Sequence, residues 1–269
     1  TRYDRFEAIS AAAGCVSARL TPENVVVELE RVIDKALEDS RPAYLTVPMD
    51  LALMPITGTP IQGTPIGSID QHASVAVELE AVLDLVMERM AEASCPLVMP
   101  TVTLKRFGLV ETFATFLEVS GLAYATTPMD KALLSEGHPA FLGMYNGVRS
   151  TPAALQGVVE DADLLIDVGG LVMEDLNTGL WSGHLDTRRV ISLHADWVQA
   201  GDQVFTSVSL SEVLAGLIKR FQAADSRASH WGEQRPVQPE PLLPLSGEGD
   251  QPTASANVYP RLQRFLRPT

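Results

Sequence analysis

Asp163-Leu164-Leu165-Ile166-Asp167-Val168-Gly169-Gly170, followed by Leu171-Val172-Met173-Glu174-Asp175-Leu176-Asn177-Thr178-Gly179, is the stretch whose reading decides the fold. A short apolar run that breaks into paired glycines and then a polar loop reads as a buried parallel strand. Its carboxyl end opens onto a crevice, the usual ligand position in open α/β sheets. A ligand is therefore sought first beside Gly169, Gly170 and Asn177. The phosphate-cradling pattern Gly-x-Gly-x-x-Gly is absent, however, and the residues after Gly170 are bulky and then acidic, which repels a pyrophosphate.

On the amino-terminal side of this strand, helix and strand patterns alternate. Val77, Leu79, Val82, Leu83, Val86 and Met90 give a helix over Val75 to Ala93, ahead of a strand at Cys95-Pro96-Leu97-Val98-Met99. A second helix, Leu109 to Val119, is closed by Gly121 and precedes a strand at Leu122 to Thr126. A helix over Pro152 to Glu160 leads into the opening strand. Beyond it, Arg189 to His194 and Gln203 to Phe205 read as strands, and Leu210 to Phe221 as the last helix. This alternation predicts a parallel sheet covered by helices on both faces.

Further upstream, residues 1 to 20 are Ala-rich and loosely helical at Phe6, Ile9, Ala12 and Ala13. Thr21-Pro22-Glu23 then supplies an N-cap, a proline at the first helical position and an early acid. With the stripe Val25, Leu29, Val32, Ile33, Ala36 and Leu37, it predicts a helix over Pro22 to Glu38. Ala43-Tyr44-Leu45-Thr46-Val47-Pro48 reads as a strand. Pro55, Gly58, Pro60, Gly63, Pro65 and Gly67 mark a linker. Prolines 236, 239, 241, 244 and 252 mark a second connector, after which Asn257 to Leu266 regains helical spacing. The start at Thr1 and the stop at Arg267-Pro268-Thr269, in what reads as an unfinished turn, predict a fragment.

The 269 residues, 46% of them hydrophobic, can bury a substantial core, and no apolar run is long enough to span a bilayer. A net charge of -14 argues against nucleic acid or an anionic membrane as partner. Cys15 and Cys95 lie in unlike contexts with no charged-then-apolar leader before them, so a reducing cytoplasm is expected.

The candidates for chemistry are sparse. His72, His138, His184, His194 and His230 are scattered without metal-ligand spacing and read as surface or satisfied core. Ser135 and Ser182 lack a strand-turn-helix elbow, and neither cysteine has a basic neighbour. Carboxylates cluster at Glu160, Asp161, Asp163, Asp167, Glu174 and Asp175. The expected arrangement is that Glu160 and Asp161 close a helix in water while Asp167 points toward the sheet edge, rather than a metal cage. Asp175 to Gly179 is a turn by composition. No catalytic, cofactor-binding or metal residue is assigned.

Several stretches, in order, resemble one family. Arg41-Pro42-Ala43-Tyr44-Leu45-Thr46-Val47-Pro48-Met49-Asp50 is similar to the end of the pyrimidine-binding domain of thiamine-diphosphate-dependent 2-oxo-acid decarboxylases, the pyruvate and indolepyruvate decarboxylase group. Thr127-Pro128-Met129-Asp130-Lys131, Glu136 to Gly147, Ala162 to Gly169 and Asp175 to Ser182 resemble successive motifs of that group's central domain.

The resemblance implies an α/β fold with a Rossmann-like central sheet, plus a terminal piece of a second α/β domain. The implied divisions are the pyrimidine domain's end at 1–56, a linker at 57–72, the central domain at 73–222, and a Pro-rich connector at 223–269 toward a diphosphate-binding domain. It implies a carboxy-lyase using thiamine diphosphate and Mg2+ on a small 2-oxo acid, with the cofactor acting as electron sink for loss of carbon dioxide. No stretch matches the family's activating glutamate or paired histidines, which the resemblance leads one to expect upstream of Thr1. Gly247-Glu248-Gly249-Asp250 is a chance likeness to the diphosphate-binding Gly-Asp-Gly, so these residues alone are expected to be inactive and to bind no cofactor. Related central domains hold FAD in acetohydroxyacid synthase and ADP in oxalyl-CoA decarboxylase; the simple decarboxylases leave theirs without nucleotide. The expected role here is scaffold and subunit contact in a homodimer or homotetramer that binds neither nucleic acid nor membrane. The alternatives are a free-standing FAD-, NAD- or ADP-binding module and a structural assembly domain.

Overall fold

The computed structural model describes residues 2–38, 41–55, 73–179, 181–224 and 255–265. The linker expected at 57–72, most of the Pro-rich connector, Gly247 to Asp250, His72 and His230 lie outside them.

The amino-terminal unit is a βαβ piece: α1 (Tyr3–Ala12), β1 (Val16–Arg19), α2 (Val25–Glu38) and β2 (Ala43–Thr46), with β1 and β2 paired in parallel. The expected cap of α2 is present in reciprocal form. Asn24 N–H donates to Thr21 Oγ1 at 3.3 Å, and Thr21 N–H donates to Asn24 Oδ1 at 2.7 Å, satisfying donors that open the helix. Leu20, Val25 and Leu51 form this unit's small core. β1 was not expected from the sequence, because Val16-Ser17-Ala18-Arg19 carries little alternation.

The remainder of the chain builds a seven-stranded sheet. Its elements are α3 (Ala76–Glu92), β3 (Pro96–Pro100), α4 (Thr103–Arg106), α5 (Val110–Ser120), β4 (Tyr124–Thr126), β5 (Phe141–Met144), α6 (Leu155–Glu160), β6 (Leu164–Val168), α7 (Asp175–Thr178), β7 (Val190–Leu193), β8 (Val198–Ala200), β9 (Gln203–Phe205) and α8 (Leu210–Ala224). The strand order is β5-β4-β3-β6-β7-β8-β9. The first five strands of that order are parallel, whereas β7-β8-β9 are antiparallel. The parallel sheet that the sequence predicted is present over five strands, and β8 and β9 differ in direction. The difference arises because no crossover helix separates β7 from β8 or β8 from β9, and Gly201-Asp202 closes a two-residue hairpin between the last two.

Alternation along the strands sorts the core into two layers. Val98, Tyr124, Leu164, Ile166, Val168, Ile191 and Leu193 face the helices α3, α5 and α8. Phe116 of α5 meets Phe221 of α8 edge to face at 6.0 Å. Leu97, Met99, Ala123, Ala125, Leu165 and Val190 face the other way, against Tyr145, Leu155 and Val159. Helices thus cover both faces, three full-length ones on the first and the short α6 with its loops on the second. A last helix, α9 (Ser255–Phe265), lies where the spacing after Asn257 predicted one. Among the described residues no helix is long and apolar enough to cross a membrane.

Candidate functional site

Parallel strands β3, β4, β6 and β7 end on one edge, and the side chains gathered there follow from strand period. On β6, Leu165 faces the α6 layer, so Asp167 two residues on points inward beside it. Asp167 is 2% exposed, which corrects the expectation that it points to the sheet edge. Its carboxylate survives burial because the paired-glycine turn folds back over it. Gly170 N–H donates to Oδ1 at 3.1 Å and Leu171 N–H to Oδ2 at 2.8 Å, while the register sets Ser192 of β7 alongside. Desolvation still dominates and raises its pKa to about 6; the two backbone donors and the Ser192 hydroxyl oppose the rise, and the nearby Asp130 carboxylate adds to it.

Asp130 is likewise buried. Its Oδ1 accepts Val102 N–H at 2.7 Å and its Oδ2 accepts the Thr127 hydroxyl at 2.5 Å, tying the loop after β4 to the loop after β3. The loop after β6 is locked by Asn177, fully buried, whose Oδ1 accepts Met129 N–H at 3.0 Å and whose Nδ2 donates to Val172 O at 2.8 Å. The stretch read as a turn at Asp175 to Gly179 is one turn of helix, α7, closed by Gly179 in the left-handed region. Asn146 joins it by donating Nδ2 to Leu176 O at 3.2 Å, and its own buried Oδ1 has no partner among the described residues.

At the paired glycines the crevice is filled by the protein's own side chains. Gly169 and Gly170 adopt φ of 114° and 87°. A β-carbon at Gly169 would collide with Thr101 Oγ1, and one at Gly170 would lie 2.6 Å from His194 Nδ1. The glycines thus serve close approach of the chain to itself rather than to a phosphate. His194 in turn stacks on Trp197 at 3.5 Å with the planes 10° apart, and burial lowers its pKa, favouring the neutral ring, with the Asp196 carboxylate opposing.

The remaining sequence candidates are dispersed. His138 Nδ1 accepts Ala140 N–H and the ring packs on Tyr124, while His184 is exposed. Ser182 Oγ donates to Gly179 O, and Ser135 Oγ accepts Gly137 N–H. Cys15 and Cys95 are free thiols. Glu160 departs from the expectation of a water-facing helix end: it is half-buried and accepts the Tyr145 hydroxyl at 3.0 Å and Gln156 Nε2 at 3.1 Å. Asp161 is exposed, Asp163 holds backbone N–H groups, and Asp175 lies 3.7 Å from Arg149. Among the described residues no group of three or more His, Cys, Asp or Glu side chains could hold a metal ion. The buried carboxylates at this edge, Asp130 and Asp167, are taken up by backbone N–H groups and the Thr127 hydroxyl. Sequence reasoning did not single out Thr101, Asp130, Asn146, Ser192 or Trp197 as site residues; the Asn-Gly at 146–147 and the Thr-Pro-Met-Asp at 127–130 were the available signals.

The comparisons agree with this architecture. The profile described as "Thiamine pyrophosphate enzyme, central domain" matches residues 83–219. An alpha-keto-acid decarboxylase of Mycobacterium leprae (strain TN) is 28% identical over 217 residues, covering 80% of this chain and 37% of the relative. A pyruvate decarboxylase of Kluyveromyces lactis is 27% identical over 263 residues, covering 97% of this chain and 45% of the relative. A pyruvate decarboxylase of Kluyveromyces marxianus is 28% identical over 220 residues, covering 81% and 38%. The chain therefore spans less than half the length of these curated relatives. With a mostly parallel sheet layered between helices and the profile matched from α3 to α8, the chain belongs to the thiamine pyrophosphate enzyme family through its central domain.

Proposed function

We infer that this chain is the middle of a non-oxidative 2-oxo-acid decarboxylase that uses thiamine diphosphate with Mg2+ and converts pyruvate, indolepyruvate or a similar 2-oxo acid to an aldehyde and carbon dioxide. In this reading 73–222 is the central domain and serves as scaffold and subunit contact. Residues 1–56 complete the pyrimidine-binding domain, and 57–72 and 223–269 connect the parts. The whole enzyme works as a homodimer or homotetramer in the cytoplasm, a compartment that suits the free thiols of Cys15 and Cys95.

The observation that carries the role is the closed carboxyl edge. His194 and Thr101 fill the space over Gly170 and Gly169, so this sheet has the architecture of a nucleotide fold with its crevice turned over to packing. The names of the relatives support the reaction class. The closed crevice gives no support to a free-standing nucleotide-binding module.

The test is to assay the 269-residue chain and the product of the complete reading frame that contains it, each with thiamine diphosphate, Mg2+ and a panel of 2-oxo acids. Decarboxylation by the complete product alone is the expected result. Turnover by the 269-residue chain, or none by the complete product on any member of the panel, overturns the reading.

A further inference from the structure

At the opposite edge of the sheet, where β6 and β7 begin, lies a cavity of about 240 Å³. It is bounded by the last turn of α3, by the 3₁₀ turn Thr187–Arg189 and by the hairpin at Gly201. Its lining is more polar than apolar, and Leu164 and Ile191 of the two strands supply part of the apolar share. Three of the chain's 20 basic residues, Arg89, Arg188 and Arg189, line it, although the chain as a whole is acidic.

The charges around the cavity are not equally available. Asp163 has both oxygens engaged, Oδ2 by Ser94 N–H at 2.7 Å and Oδ1 by Cys95 N–H at 2.8 Å. Arg188 is spent on Asp186, which its Nε and Nη2 clamp at 2.9 and 2.8 Å. Arg189 reaches its neighbours only at the limit of contact, 3.5 Å from Asp186 Oδ2 and 3.5 Å from Ala162 O. Arg89, exposed at the end of α3, has no ion-pair partner among the described residues. Two guanidinium groups with unused donors thus share the lining with two carboxylates, Glu92 at the rim and Asp163, whose oxygens are turned to backbone N–H groups. We propose that this cavity binds a small organic carboxylate, its charged end held by Arg89 and Arg189 and its apolar body resting on the strand ends. The volume limits the ligand to a few carbon atoms beyond the carboxylate.

Butyrate, inorganic phosphate and n-butanol separate the components of this recognition, since phosphate has the charge without the apolar body and butanol the body without the charge. Titration of the 269-residue chain, followed by its amide resonances, is expected to show butyrate shifting Arg89, Ile191 and Gly201 saturably and at lower concentration than either control. Arg89→Gln and Arg189→Gln should each weaken butyrate roughly tenfold, because each removes a charge-assisted pair. Glu92→Gln should tighten it about threefold by removing the rim's repulsion. Arg89, Arg189 and Glu92 sit at the surface, and wild-type amide spectra of the variants verify the fold. Absence of saturable shifts, equal binding of phosphate or butanol, or butyrate binding unchanged in both arginine variants overturns the proposal.

Discussion

Gly170 lies against His194 so closely that a β-carbon on the glycine would stand 2.6 Å from the imidazole Nδ1. The histidine cannot easily swing away, because its ring is stacked on Trp197 at 3.5 Å. Gly170→Ala combines this clash with a φ of 87°, and is expected to lower unfolding stability by about 2 kcal/mol in urea denaturation. Adding His194→Ala should recover part of that loss; full additivity of the two substitutions would show that the ring is not what closes the turn.

Asp167 titrates against the usual direction for a carboxylate. Its folded pKa, about 6, is above the ordinary 3.8, so between those values the folded state holds a proton that the unfolded chain has released. Its contribution therefore falls as pH rises through that window, by up to about 3 kcal/mol, and is flat above it. Asp167→Asn is less stable than wild type at pH 4, since the amide cannot accept from both Gly170 and Leu171. The deficit should narrow toward pH 7. Parallel stability curves for the two proteins would refute the assignment.

For His194 the sign is opposite. A folded pKa depressed below 6.5 by burial means stability fully present above 6.5 and lost as pH falls toward the folded value. In a Trp181→Phe/Trp231→Phe background, Trp197 fluorescence should titrate with a midpoint below 6.5, as the protonated ring quenches its stacking partner. A midpoint at or above 6.5 is the contrary outcome.

Asn177→Ala removes the acceptor of Met129 N–H and the donor to Val172 O; both residues are exposed, so water replaces part of the loss and the cost is about 1–2 kcal/mol in all. Hydrogen exchange is the check: the Met129 amide should lose protection, whereas Ile166 in the sheet centre should keep it.

Added FAD, NAD or ADP should leave the melting temperature unchanged. A nucleotide present at 100 times its Kd stabilises by about 2.7 kcal/mol, so a clear upward shift would reveal an open crevice.

What the sequence disclosed depended on how much of each element's stability is local. α3, α5 and α8, with long 3.6-residue stripes, and β3, β6 and β7, with mostly apolar runs, were legible to within one to three residues. β5 was not, because Phe141-Leu142-Gly143-Met144 is four residues long with a glycine inside it and exists through its pairing with β4. β8 was lost for the same reason. Asp167 was misplaced because a carboxylate prefers water unless donors await it, and those donors are backbone groups that only the folded turn presents. Arg89 and Arg189 stand a hundred positions apart in the chain, and only the strand order brings them to one cavity.

The hairpin that ends the sheet has a bearing on association. β9 offers three residues of outer margin, and at the other side β5 is already bridged by Thr151 bonding to Met144. Among the described residues neither flank of this seven-stranded sheet exposes a long run of free backbone groups, so joining of one such sheet to another through its margins is discouraged.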